Sequence, residues 1–247
     1  MRKFLGKVVR VTWGAYAVTV FATVSLATTF LVAVLPGLSN RRQAARLGAR
    51  FIFFASGIRL HISEIGKLPN EACVVVANHA SYLDGVILTA ALPPNFSFVI
   101  KREITSVPLA HLLLRRLGSE FVERFDRHRG ASDARRILRK ANDGEALAFF
   151  PEGTFTAQCG LQRFRTGAFA AAARAGMPVV PVIIRGARQV LPAERWLPSR
   201  APLEVLITTP IDLSASEQGH RASRLLSLSR ERILEHLDEP DLISPQK

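Results

Sequence analysis

The chain opens on its longest apolar stretch, since no side chain from Val11 to Asn40 is charged. A bilayer core of ~30 Å takes ~20 apolar residues as helix, so this run is long enough to span one. Threonine or serine at positions 12, 19, 23, 25, 28 and 29 makes it less oily than a simple span. Pro36-Gly37 ends the run, and Ser39 or Asn40 can cap the next helix. Residues 41–57 read as an amphipathic helix, basic early and aromatic late, with Phe51, Ile52, Phe53 and Phe54. That pattern suits a membrane-surface helix and also a helix packed on a protein core. From residue 58 onward, short apolar runs alternate with helical stretches. Strands are predicted at 58–63, 72–77, 96–100, 119–123, 146–150, 179–184 and 203–208. Helices are predicted at 82–91, 106–117, 130–142, 166–175 and 216–237. Such alternation predicts an α/β fold, a mixed and mostly parallel sheet covered by helices. The expected division is 1–57 for the N-terminal helices and 58–247 for the α/β domain. The Pro-containing tail after Asp238 is expected to fray.

Charge narrows the partners. With a net charge of +13 over 247 residues, the chain favours polyanions. No nucleic-acid motif is present and few aromatic residues interleave the arginines, so nucleic acid is set aside. Anionic membrane lipid fits better, because basic clusters flank the apolar run. Arg2, Lys3, Lys7 and Arg10 precede it, and Arg41, Arg42, Arg46 and Arg50 come after it. A span with one cytoplasmic end needs one basic flank, and here both are basic. A helix dipping into one leaflet, with both ends at one surface, resolves the conflict. A signal peptide is the competing reading, but the run is long for one and no Ala-x-Ala site comes after it. The two cysteines, Cys73 and Cys159, make no disulfide framework. The six histidines show no metal-ligand spacing, so no metal is expected.

Candidate chemistry clusters in two places. Asn78-His79, with Asp84 five residues beyond the histidine, comes directly after the β-branched run 73–77. Imidazole accepts a proton near neutral pH. A carboxylate on its second nitrogen fixes the tautomer and stabilises the imidazolium. This spacing also recurs by chance, and a hydrogen-bonded turn histidine fits it equally well. The second cluster is Phe150-Pro151-Glu152-Gly153-Thr154. There Gly153 permits close backbone approach, and the loop amides are candidate donors to an oxyanion. No Gly-x-Ser-x-Gly elbow appears, so a serine nucleophile is disfavoured and Ser81 reads as a helix N-cap. A nucleophilic role for Cys159 has no support in its surroundings.

Four blocks in order resemble the glycerolipid acyltransferase family, of the 1-acyl-glycerol-3-phosphate acyltransferase type. They are Asn78-His79 with Asp84, the segment Gly118 to Arg124, Phe150 to Thr154, and Val180-Pro181-Val182-Ile183. The resemblance implies an N-terminal two-helix membrane motif, with the catalytic domain on the cytoplasmic side of the cell membrane. It implies acyl transfer from acyl-CoA or acyl carrier protein to the 2-hydroxyl of a lysophospholipid acceptor, 1-acyl-glycerol-3-phosphate, giving phosphatidic acid, with no cofactor. His79 is then the general base and Asp84 its orienter. Asn78, Arg124, Glu152, Gly153 and Thr154 are the substrate-binding residues, with Arg124 on the acceptor phosphate. Lys101-Arg102 is a second basic candidate. One departure stands out: the family often has arginine where this chain has Phe155, and Arg163 or Arg165 can stand in. Phe155 keeps open another lysolipid acceptor, such as lyso-ornithine lipid. A catalytically silent lipid-binding adaptor is the rival from another class.

Overall fold

The computed structural model describes residues 2–123, 127–213 and 220–243. Each predicted apolar run is a strand: β1 (Leu60–Ser63), β2 (Val74–Ala77), β3 (Phe96–Lys101), β4 (Glu120–Val122), β5 (Ala146–Phe149), β6 (Val179–Arg185) and β7 (Leu203–Ile207). They form one sheet in the order β1-β7-β6-β2-β5-β3-β4. Every pairing is parallel except β6 with β7. β2, β5 and nearly all of β6 are buried. Their sequences are therefore continuous apolar runs, as strands covered on both faces require. β7 instead alternates buried and half-buried positions.

The helices are α1 (Arg2–Val34), α2 (Leu38–Ser56), α3 (Asp84–Ala91), α4 (Pro108–Arg116), α5 (Arg127–Asn142), α6 (Gly167–Ala175), α7 (Ala187–Val190) and α8 (Arg221–His236). α2 and α3 cover one face of the sheet, around Phe53, Ile87 and Val75. α5, α6 and α8 cover the other, around Ile137, Phe169 and Ile233. α7 was not expected, because one turn carries no periodic signal.

α1 and α2 pack closely. A Cβ on Gly48 of α2 would lie 2.3 Å from Thr28 Oγ1 of α1, so only glycine fits there. The Tyr16 hydroxyl also donates to Ala55 O at 2.9 Å. Phe4–Val34 is long and apolar enough to cross a membrane. Thr12, Thr19 and Thr29 donate their hydroxyls to carbonyls four residues back. At these three positions the polarity that the sequence suggested is consumed inside the helix. α2 starts at Leu38 with Gly37 as its N-cap (φ 77), not Ser39 or Asn40. Asn40 lies inside the helix and donates to Pro36 O.

Residue 57 marks no break in packing. Ala49 and Phe53 of α2 share a core with Val75, Ile87 and Val182. Arg42 donates to Leu117 O, Asn95 O and Ser97 Oγ, and Arg50 donates to Ala90 O. α2 is therefore a core helix, although Phe51 and Phe54 remain 52% and 81% exposed.

The expectation of a frayed tail after Asp238 is incorrect for residues 239–243. Asp241 forms a parallel bridge with Leu161. The Leu161 N–H donates to Pro240 O at 2.8 Å, and the Leu242 N–H returns to Leu161 O at 3.1 Å. Glu239 pairs with Arg188, and Asp241 with Arg230. Arg188 is 51 positions from Glu239 and Arg230 is 11 from Asp241, separations that local composition does not report.

Candidate active site

β2, β5 and β6 are adjacent and parallel. Their carboxyl ends therefore open at one edge, where open α/β sheets bind ligands. β2 delivers Asn78-His79 there, and β5 delivers the Phe150–Thr154 loop. Asn78 is buried, and both ends of its amide are hydrogen-bonded. Nδ2 donates to Ile184 O at 2.9 Å, and Ile184 N–H donates to Oδ1 at 2.7 Å. The side chain continues the β2–β6 ladder for one more step and fixes where His79 begins.

Asp84, the first residue of α3, is fully buried. Its Oδ2 lies 2.8 Å from His79 Nδ1 and accepts the Ala80 and Ser81 N–H groups at 2.6 and 2.8 Å. A carboxylate on Nδ1 keeps the proton there and leaves Nε2 as the basic nitrogen. The imidazole lies between two rings. Phe150 stacks on it at 4.4 Å and 21°, and Phe155 meets it edge-on at 4.7 Å. Tyr82, 66% exposed, packs edge-on against Phe155. The sequence singled out Phe155 as a missing cation; the structure makes it a wall of the base.

Glu152 is also buried. Oε1 accepts the His79 N–H at 2.6 Å, and Oε2 accepts the Gln162 N–H at 2.9 Å. Burial pushes its carboxyl up to about 7. The nearby Asp84 and Glu239 charges add to this, and the two N–H donors oppose it. Glu152 therefore ties the first block to the third and to the loop beyond. Gly153 adopts φ 82, a left-handed conformation suited to glycine. Its N–H is spent on Phe150 O at 3.0 Å, which removes it from the oxyanion candidates. Thr154 is exposed; its hydroxyl makes a 3.5 Å contact to Phe155 O, and its carbonyl accepts the Gln162 Nε2–H at 3.2 Å.

Arg124 lies outside the described residues. Just before it, the Glu123 N–H donates to the buried Asp133 at 2.8 Å. Arg102 is committed to the same carboxylate, with both oxygens at 3.1 Å, while Lys101 is exposed. Ser81 is not the N-cap of α3. That position is Leu83, and Ser81 Oγ donates to Leu191 O while accepting the Leu83 N–H. Partial burial and the Glu239 charge raise the Cys159 thiol, which leaves it protonated and a poor nucleophile. Burial pushes the Cys73 thiol up to about 12.

Sequence reasoning missed the Arg188–Glu239 pair. Glu239 also accepts the Gly160 N–H at 2.9 Å, and Arg188 donates to Thr156 O at 2.8 Å. Together they pin both ends of the loop after the third block. The two residues are 51 positions apart, so no motif announces them. A cleft of about 970 Å³ starts beside this loop at Phe150–Thr154 and runs over the α5–α6 face.

Residues 58–185 match the acyltransferase family. The chain belongs to this family. Among its acyltransferase relatives is the chloroplastic 1-acyl-sn-glycerol-3-phosphate acyltransferase of Brassica napus, 29% identical over 180 residues. That match takes in 72% of this chain and 50% of the relative. A lyso-ornithine lipid O-acyltransferase of Pseudomonas aeruginosa is 34% identical over 131 residues, or 51% of this chain and 48% of the relative. The chain thus spans about half the length of these curated relatives. The crystal structure of the 1-acyl-sn-glycerophosphate acyltransferase PlsC from Thermotoga maritima superposes with a TM-score of 0.75. It is 18% identical and covers 98% of this chain and 99% of its own, so the two share a fold.

Proposed function

We propose that this acyltransferase-family chain moves a fatty acyl group from a thioester to the 2-hydroxyl of 1-acyl-glycerol-3-phosphate, giving phosphatidic acid. The observation that carries the reading is the buried Asp84 carboxylate on His79 Nδ1. His79 Nε2 takes the hydroxyl proton as the oxygen attacks the thioester carbonyl. The tetrahedral intermediate collapses, the C–S bond breaks, and the imidazolium returns the proton to the departing thiolate. An ester and a free thiol result, with no acyl-enzyme. The rings of Phe150 and Phe155 hold the imidazole and limit water around it. Asn78, Glu152 and Gly153 act through the backbone they hold, and Thr154 lines the approach. Arg124 binds the acceptor phosphate through its guanidinium fork. No cofactor or metal takes part, and the donor is acyl-CoA or acyl carrier protein.

The N-terminal pair seats the protein on the membrane, with both basic flanks and the catalytic domain on the cytoplasmic face. The tight α1–α2 packing supports a dip into one leaflet. Cysteines at residues 5 and 45 labelled from opposite faces would overturn that seating.

A second reading keeps the chemistry and changes the acceptor. It rests on Phe155, which sets an apolar ring beside His79 where a cation is common in the family. The lyso-ornithine acyltransferase relative supports it. Mass spectrometry of products from the purified protein, offered acyl-CoA and a lysolipid panel, separates the two. Absence of thiol release with every acceptor and both donors would reject both and leave a lipid-binding adaptor.

A further inference from the structure

The cleft over the α5–α6 face has an apolar floor, which includes Val99, Val122, Ile137 and Phe149. Its rim carries Arg163, Arg165 and Arg174. All three are exposed, and none of their side chains has a hydrogen-bond or ion-pair partner among the described residues. This sets them apart from Arg102, Arg136, Arg185, Arg188 and Arg230, each of which pairs with a carboxylate. The carboxylates of the cleft do not cancel the rim. Glu152 holds two backbone N–H groups, and Glu123 faces Arg102 at 3.8 Å.

The rim is also placed by the catalytic loop. The Gln162 N–H donates to Glu152, and the Arg165 N–H donates to Pro151 O at 2.8 Å. Residues 162–165 therefore run alongside Phe150–Gly153, and the cleft reaches Phe150, whose ring stacks on His79. At about 970 Å³ the cleft is at the upper end of the ~300–1,000 Å³ typical of small-molecule sites. A lone glycerol phosphate headgroup would leave most of it empty. An extended amphiphile with phosphate at one end fills such a space.

We propose that this cleft binds the acyl-phosphopantetheine arm of the donor, with Arg163, Arg165 and Arg174 on its phosphate and the thioester delivered over Phe150 to His79. The inference rests on the acyl-transfer reading and adds the donor site to it. Coenzyme A and acyl carrier protein both carry this arm. Guanidinium groups suit its phosphate because they donate in a fork and stay charged.

The test uses the full chain in detergent micelles and the variant R163A/R165A/R174A, whose melting curve reports folding. Binding of coenzyme A is measured by calorimetry, without turnover. We expect the variant to bind at least about ten-fold more weakly, as loss of a single charge-assisted hydrogen bond would produce. Palmitoyl-CoA, palmitoyl carrier protein and phosphate-free palmitoyl-pantetheine are then compared as donors. The preference of the wild type for the two phosphorylated donors should collapse in the variant through KM. Unchanged coenzyme A affinity, or no measurable affinity in the wild type, overturns the proposal. So does a variant that loses only carrier-protein turnover, which would make the arginines a protein-docking patch. A rise confined to the acceptor KM would assign them to the acceptor and also overturn it. Absence of wild-type turnover with every donor would instead sink the acyl-transfer reading, while coenzyme A binding still reports on the cleft.

Discussion

The side chain of Glu152 holds the backbone of His79, with Oε1 accepting its N–H at 2.6 Å. Through its other oxygen on Gln162 N–H, the same carboxylate fixes the loop that borders the cleft. A residue expected to meet substrate is thus occupied in setting the position of the base.

Glu152 gives stability a pH dependence. Its carboxyl is raised from an ordinary 4.5 to about 7 in the folded chain. Between those values the native state keeps a proton that the unfolded chain has released. The contribution is full below about 4.5, falls as pH rises, and is gone above about 7. Glu152→Gln should remove this slope. Denaturation midpoints from pH 4 to 8 check it, and parallel curves for variant and wild type would mean that Glu152 does not titrate in this window.

His79→Ala should lower turnover by about 10²–10⁴ with the fold intact, the usual cost of a lost general base. Asp84→Asn tests the charge behind the base. Oδ2 alone meets Nδ1 and the Ala80 and Ser81 N–H groups, so an asparagine keeps its oxygen there, because an NH2 would face two N–H donors. The imidazole keeps its orientation and loses the carboxylate that stabilises the imidazolium. A turnover loss of about 10²–10⁴ is expected, within the range of a disabled general base. Near-normal turnover of a folded Asp84→Asn protein would reject the dyad.

Asn78→Ala should act on stability first. It leaves the Ile184 N–H and C=O unpaired in the interior, at about 1–3 kcal/mol for each orphaned group. Urea denaturation should show a loss of about 2–6 kcal/mol, together with reduced turnover from a displaced His79. A loss under about 0.5 kcal/mol would mean that water replaces the amide.

Deleting residues 1–57 should destroy the domain rather than release it. The cut removes Ala49 and Phe53 from the core, and with them the Arg42 and Arg50 bonds. Phe51→Ser with Phe54→Ser should separate the two roles, lowering liposome binding with little change in melting temperature. A soluble, monomeric, cooperatively unfolding 58–247 fragment would show that α2 is dispensable.

The strands and most helices were legible because buried parallel strands leave apolar runs and the helices between them leave periodic ones. His79 and Asp84 were legible because one turn joins them, so their spacing is fixed by local geometry. Glu152 and Asn78 were found as motif members, yet the groups they hold, the His79 N–H and the Ile184 backbone, are set by strand order and lie beyond any local signal. Arg188 and Glu239 were invisible for the same reason. The tail looked frayed because its composition is that of a loop, while its order comes from Leu161, Arg188 and Arg230.

The arginines beyond the apolar run also change how attachment to a membrane should behave. Arg41, Arg42 and Arg50 donate to carbonyl oxygens of the protein itself, and Arg116 donates to Ala33 O. These cations serve as rivets between helix and domain, and much of their hydrogen-bonding capacity is withheld from lipid headgroups. Retention then falls mainly to the exposed apolar side chains of α1 and α2, which counterions do not screen. A chain with a net charge of +13 would accordingly stay on vesicles through a molar salt wash and come off in detergent.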